Sequence, residues 1–181
     1  MSLLAPCHRK MLQERGLGNH PLITAEQVHG AIVAEVTEET AFPLPLADGL
    51  MTRKRGLTLG IHVADCAPVW IVARDGSAGS LVHSGKKGTE LGIVPLAIDQ
   101  LVQATGLAPQ DLRLVIGPCI HPPCYEVDFS SHILEQARAS GVTDSHDCRI
   151  CTACHPGLYY SYRREKGMTG RMLATLTLLP L

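Results

Sequence analysis

The sequence predicts an α+β fold in a single domain. Apolar stretches rich in β-branched residues occur in groups, two segments with helical patterning interrupt them, and a hairpin signal, Arg74-Asp75-Gly76-Ser77, separates two of the stretches. Consecutive strands so close together are expected to pair antiparallel, because a parallel return needs a crossover of a dozen or more residues. At 181 residues the chain is long enough for one domain with its own core and too short for two ordinary ones, so one domain over 1–181 is expected.

Taken in order, Arg9 to Arg15 reads as the end of a short helix, stopped by Gly16 and Gly18. Strands are expected at Ala31 to Val36, Leu57 to Val63, Val69 to Ala73, Ser80 to His83, Leu112 to Ile116 and Met172 to Leu179. One helix is expected from about Glu90 to Thr105, ending at Gly106, and another from Ser130 to Ser140, ending at Gly141. Pro95 lies near the start of the first, where a missing backbone donor costs least, so that helix can begin a residue or two late. There is no internal repeat, linker or low-complexity segment, and Phe42-Pro43-Leu44-Pro45-Leu46 is long enough only for a loop.

Hydrophobic residues make up 45% and charged residues 18% of the chain, which is ordinary for a globular protein and argues against disorder. A net charge of −1, without any long basic block, leaves no electrostatic footprint for nucleic acid or an acidic membrane surface, so neither is expected as a partner. No apolar run approaches about 18 residues, and Met1 to Lys10 shows no charged leader ahead of an apolar stretch. A cytoplasmic location is expected, where the seven cysteines read as thiols or ligands rather than a disulfide framework.

Three short segments carry the candidate chemistry: Gln27-Val28-His29-Gly30, Ala64-Asp65-Cys66 and Val82-His83-Ser84-Gly85. Each sits beside a glycine or at the edge of an apolar run, where strands end and site residues protrude. His29, Cys66 and His83 together offer two imidazoles and a thiol, a three-ligand set for zinc with a fourth position open, as in catalytic rather than structural sites. The competing reading of Cys66 is a small core residue inside an apolar run. His62 and Cys66 would share a helix face, but on a strand positions i and i+4 lie roughly 13 Å apart, so His62 reads as a packed or hydrogen-bonded histidine. Asp65 reads as an acceptor that orients a ligand or a backbone amide.

Cys151-Thr152-Ala153-Cys154-His155 matches the pattern that attaches c-type haem. Covalent haem attachment generally occurs outside the cytoplasm, so haem is not expected. A second small metal site around Cys148, Cys151 and Cys154 and plain thiols are the other readings. Gly117-Pro118-Cys119-Ile120-His121-Pro122-Pro123-Cys124 reads as a rigid turn forming a pocket wall rather than a metal site.

Ordered motifs nearly along the whole chain resemble one family. They are Ala47-Asp48-Gly49-Leu50-Met51-Thr52, Val63-Ala64-Asp65-Cys66-Ala67-Pro68-Val69, His83-Ser84-Gly85-Lys86-Lys87-Gly88-Thr89, Ile116-Gly117-Pro118-Cys119-Ile120 with Cys124-Tyr125-Glu126-Val127, and Cys151-Thr152 with Tyr160-Ser161-Tyr162-Arg163-Arg164 and Thr169-Gly170-Arg171-Met172. They follow the order of the YfiH/YlmD family, also labelled multicopper polyphenol oxidoreductase or laccase domain. The resemblance implies a two-sheet α/β/β/α sandwich, similar to cytotoxic necrotising factor, with helices outside. It further implies a zinc enzyme acting on purine nucleosides by phosphorolysis and, for adenosine, deamination, with zinc on His29, Cys66 and His83. The laccase label would need several coppers with His-rich clusters of their own, against one three-ligand set here. Some members resemble peptidoglycan-precursor editing amidases, in which case Cys66 and His83 would be a metal-free nucleophile and base. A metal-binding or interaction domain without activity is the remaining alternative.

Three departures from the family pattern stand out. Members usually carry a further N-terminal stretch with Ser-Thr-Arg and Ser-Leu-Asn-Leu motifs, and here His8-Arg9 stands where Asn-Arg is usual. The chain also runs from Val127 to the helix at Ser130 without a middle segment of longer members. The usual His-Ala-Gly-Trp-Arg-Gly is His83-Ser84-Gly85-Lys86-Lys87-Gly88, exchanging an aromatic for Lys86 and a planar guanidinium for Lys87. By resemblance Arg9 and Lys87 are the cations expected against phosphate, and Cys66, His83 and Asp65 the catalytic residues.

Overall fold

The apolar stretches do form strands, and they divide between two sheets. In the computed structural model, which describes residues 6–180, a three-stranded sheet contains β1 (Leu22–Thr24), β4 (Thr58–Val63) and β9 (Met172–Thr177) in the order β1-β4-β9. A six-stranded sheet contains β2 (Val33–Glu35), β3 (Gly49–Thr52), β5 (Ala67–Ala73), β6 (Gly79–Ser84), β7 (Leu112–Ile116) and β8 (Asp144–Asp147), in the order β2-β3-β6-β5-β7-β8. The helices are α1 (Pro6–Glu14), α2 (Lys86–Glu90), α3 (Ile93–Thr105) and α4 (Phe129–Ala139). No helix among the described residues is long and apolar enough to cross a membrane. Residues 1–5, on which part of the expectation of no export leader rests, lie outside the described residues.

Alternation along the strands builds two cores from one large sheet. Ala67, Val69, Ile71 and Ala73 of β5 face α3 and α4, where they meet Ile93, Ala97, Ile98, Leu101, Phe129 and Ile133. Trp70 leans the other way, toward Leu59, Ile61 and Val63 of β4 in the core between the sheets. Its indole N–H donates to the Thr175 carbonyl at 2.8 Å, which satisfies the polar atom there. On the outer side of the small sheet, the His8 ring of α1 lies 5.7 Å from that of His62. The result is the two-sheet sandwich with helices outside.

The hairpin signal holds: β5 and β6 pair antiparallel with Trp70 opposite Leu81, and the Ser77 amide donates to the Asp75 carboxylate in the turn. The same expectation fails for β4 and β5, which lie in different sheets. Asp65, at a φ of 85°, redirects the three-residue link Ala64-Asp65-Cys66 so that the chain leaves one sheet for the other. The expected helix from Glu90 to Thr105 is α3, which begins late, at Ile93, because Gly92 takes a left-handed φ of 73° and separates it from the short α2, which was not expected. Three strands lacked a readable pattern. β1 has three residues, β3 is buried on both faces, and β8 is the polar edge segment Asp144-Ser145-His146-Asp147, paired parallel to β7.

Candidate metal centre

His29 lies on the loop between β1 and β2, Cys66 on the link between the sheets, and His83 near the end of β6. Their ligand atoms all fall within 4.8 Å of one another. The two rings meet edge to face with centroids 4.9 Å apart. The separation in sequence is bridged by the crossover at Asp65 and by the β3–β6 pairing, which sets Gly49 opposite Val82. Cys66 is therefore neither an ordinary core residue nor a strand neighbour of His62, which stays out of the cluster.

Asp48, for which the sequence reading found no role, holds the centre together. Its buried carboxylate accepts the backbone N–H groups of Val28, His29 and Gly30 at 3.1, 2.9 and 2.7 Å, and the Nδ1–H of His83 at 2.9 Å. That grip holds His29 at a left-handed φ of 59°, a conformation a non-glycine residue keeps only when its surroundings over-determine it. With Nδ1 committed to Asp48, the other nitrogen of His83 is the one that meets Cys66. The only sequence signal for Asp48 was its place in the Ala47-Asp48-Gly49 motif. Gln27 adds a second anchor: its side-chain amide donates to the His62 carbonyl and accepts the His62 N–H, both at 2.7 Å, tying the loop to the end of β4.

The electrostatics follow from this packing. Burial pushes the Cys66 thiol up, but hydrogen bonds with His29 and His83 and their charge outweigh it and bring the thiol down to about 7. Burial disfavours a charged His83, yet its bonds to Asp48 and Cys66 raise it to about 9. Burial also opposes a charged Asp48, and the bonds from His83, Gly30 and Val28 overcome it and hold the carboxyl below its usual range.

The trio lies in a cavity of about 1000 Å³. Lys86, Arg163, Lys166 and Arg171 bring positive charge to its wall, and Tyr125, Phe129 and Tyr162 bring aromatic surface. Arg9 and Lys87 are exposed and are not among the residues lining the cavity, so the neighbour Lys86, not Lys87, faces it. Asp65 lines the cavity, but its carboxylate is spent on the hydroxyls of Thr152 (2.6 Å) and Ser161 (3.1 Å) and the amide of Arg163 (2.7 Å). These bonds are those of the acceptor read from the sequence, and they fasten the C-terminal wall beside Cys66.

The chain matches the family described as multi-copper polyphenol oxidoreductase laccase over residues 5–131 and 127–179. It belongs to that family. Among curated relatives of this laccase-domain family, the purine nucleoside phosphorylase YlmD of Geobacillus stearothermophilus is 32% identical over 192 residues, covering 84% of this chain and 70% of the relative. A purine nucleoside phosphorylase of Streptomyces griseus is 30% identical, covering 87% and 75%. The crystal structure of YlmD from Geobacillus stearothermophilus superposes with a TM-score of 0.89 at 28% identity, covering 95% of this chain and 78% of that one.

Proposed function

We propose that this chain cleaves purine nucleosides by phosphorolysis, and deaminates adenosine, at a zinc ion held by His29, Cys66 and His83. The observation that carries the proposal is the convergence of two imidazoles and a thiol in a cationic, aromatic-walled cavity, in a chain whose relatives are named purine nucleoside phosphorylases. The donor set fits zinc: nitrogen and sulfur ligands, three in number, with a carboxylate orienting one imidazole from behind. A laccase centre would need His-rich copper clusters; of the two metal-competent groups among the described residues, only this one contains histidine. Zinc held there would act as a Lewis acid and bring the pKa of a water toward neutrality.

The chain's own residues supply the rest. Lys86, Lys166 and Arg171 would hold the charge of phosphate, the part expected of Arg9 and Lys87. Tyr125 and Tyr162 offer flat faces to a purine, and each ring already lies under a guanidinium, Arg163 at 5.2 Å and Arg171 at 5.5 Å. In phosphorolysis a phosphate oxygen bonds to the ribose anomeric carbon as the bond to the purine breaks, and the base leaves with the electron pair and takes up a proton. The wall cations favour the attacking anion, and the aromatic faces hold the leaving base.

A second reading has an observation of its own. Asp48, His83 and Cys66 stand in the order carboxylate, imidazole, thiol, with the thiol brought down to about 7, as a Cys-His hydrolase acting on an amide would require. Zinc-loaded chain incubated with inosine and with adenosine, each with and without phosphate, and in parallel with a peptide amide, separates the readings when products are followed by chromatography. Phosphate-dependent ribose 1-phosphate and inosine from adenosine are expected, both abolished by a chelator and by Cys66→Ser. Activity on an amide that survives the chelator would transfer the site to the hydrolase reading, and no product under any condition would leave a binding domain.

A further inference from the structure

Outside the lining of the cavity, two loops bring three more sulfurs together. Cys124 comes from the turn after β7, and Cys151 caps and Cys154 ends a 3-10 turn, Thr152–Cys154. Their sulfur atoms all lie within 4.8 Å of one another, those of Cys124 and Cys154 at 3.4 Å. Cys148, grouped with Cys151 and Cys154 in one of the readings of the sequence, is not in the group, and Cys124 is. The two cysteines of the Cys151 to His155 pattern are thus part of a three-thiol cluster. An ion about 2.3 Å from each sulfur would set the sulfurs roughly 3.8 Å apart in a tetrahedron and roughly 4.0 Å apart in a trigonal plane. The Cys124–Cys154 separation of 3.4 Å is a little shorter than either and the other pairs lie within 4.8 Å, so small thiol rotations would be needed to seat an ion.

The backbone around the cluster is held by other bonds. The Cys119 amide donates to the Ile150 carbonyl and the Thr152 amide to the Cys119 carbonyl, which joins the two loops side by side. The guanidinium of Arg164 donates to the carbonyls of Thr152 and Ala153 at 2.9 and 3.2 Å. The Thr152 hydroxyl donates to Asp65, the residue before Cys66. Cys151 is buried, Cys124 half-buried and Cys154 exposed, so the group is fixed at its base and open to solvent at its rim.

We propose that Cys124, Cys151 and Cys154 form a second metal site, selective for a thiophilic d10 cation, Zn²⁺ or Cu⁺. Three sulfur donors and no oxygen or imidazole select soft ions over magnesium, calcium or manganese. Three thiolates complete a trigonal shell for Cu⁺ and leave Zn²⁺ one position for water or an added thiol. A disulfide would consume two of the sulfurs and strand the third. Because the turn carrying Cys151 and Cys154 is bonded through Thr152 to Asp65, an ion here would brace the wall of the cavity without entering it.

The test is metal counting on the reduced full-length chain by native mass spectrometry, in separate anaerobic titrations with Zn²⁺ and Cu⁺. About two ions per chain are expected at saturation, one for each group. Cys66→Ser should remove one and leave the other. Cys154→Ser, at an exposed position that spares the core, should weaken the remaining ion by more than about 100-fold, beyond what the loss of an outer-shell partner costs. With the ion bound in Cys66→Ser, Cys124, Cys151 and Cys154 should resist alkylation together. A Cys66→Ser chain that binds neither ion would overturn the site, as would a second ion indifferent to Cys154→Ser. Recovery of a Cys124–Cys154 disulfide from the ion-loaded chain would do the same.

Discussion

At the scale of single residues, the centre depends on close approaches that leave no slack. A Cβ placed on Gly85 would stand 2.5 Å from the Cys66 sulfur, closer than real side chains come. The Gly85 backbone itself is ordinary, at a φ of −97°, so the glycine is there for space rather than for conformation. Gly85→Ala is expected to push the sulfur aside and lower zinc content, with the circular dichroism spectrum unchanged; full zinc retention would remove the close approach as a constraint. The thiol makes a second prediction. Because the thiolate is the reactive form, alkylation of metal-free Cys66 should rise with pH through an inflection at about 7, below that of an unperturbed thiol. Zinc should suppress the reaction across that range, as measured by mass spectrometry of the labelled peptide.

At the scale of elements, α4 shows how a local signal becomes stability. Its N-cap Asp128 accepts the Ser131 amide at 3.1 Å and the Ser130 and Ser131 hydroxyls at 3.0 and 2.8 Å. Asp128→Ala is expected to cost about 0.5–2 kcal/mol in denaturant unfolding. Burial pushes this carboxyl up, but the serine bonds outweigh it and hold it below its usual range. A folded-state pKa below the unfolded one means the contribution is present above the unfolded value and is lost as pH falls through the folded one. The difference between wild type and Asp128→Ala should therefore shrink only under acid conditions, below roughly pH 4. Elsewhere β8 was hidden because its polar side chains serve the edge. Asp144 accepts from Arg113 at 2.7 Å, pairs with Arg74, and meets His146 at 2.6 Å, which leaves no apolar alternation to read.

At the scale of the molecule, the six-stranded sheet is the common wall of both cores, and the centre sits where its strands and the crossover from the small sheet come together. Ile71, fully buried against α3 and α4, is far in role from the ligands. Ile71→Ala should cost about 2–5 kcal/mol in stability while the folded fraction takes up added zinc as the wild type does, because the cavity it leaves lies in the helical core rather than beside Asp48. Loss of zinc from folded protein in proportion to that destabilisation would show instead that sheet packing and the centre form one unit.

Local chemistry in the chain sufficed for β2, β4, β5, β6, β7 and β9, for the stops at Gly106 and Gly141, and for the hairpin at Arg74 to Ser77, because alternation, left-handed glycines and turn residues act over a few positions. The candidate ligands His29, Cys66 and His83 were legible as residue types, and as a set chiefly through the family motifs. What only the tertiary structure decided was which distant groups meet. It brought Asp48 behind His83, put Lys86 rather than Lys87 at the cavity, joined Asp65 to the loop at Thr152, and set Cys124 beside Cys151 and Cys154. The physical reason is that each of these contacts joins segments far apart in the chain, through the register of paired strands and the turn between two sheets, and no local pattern of residues encodes that geometry.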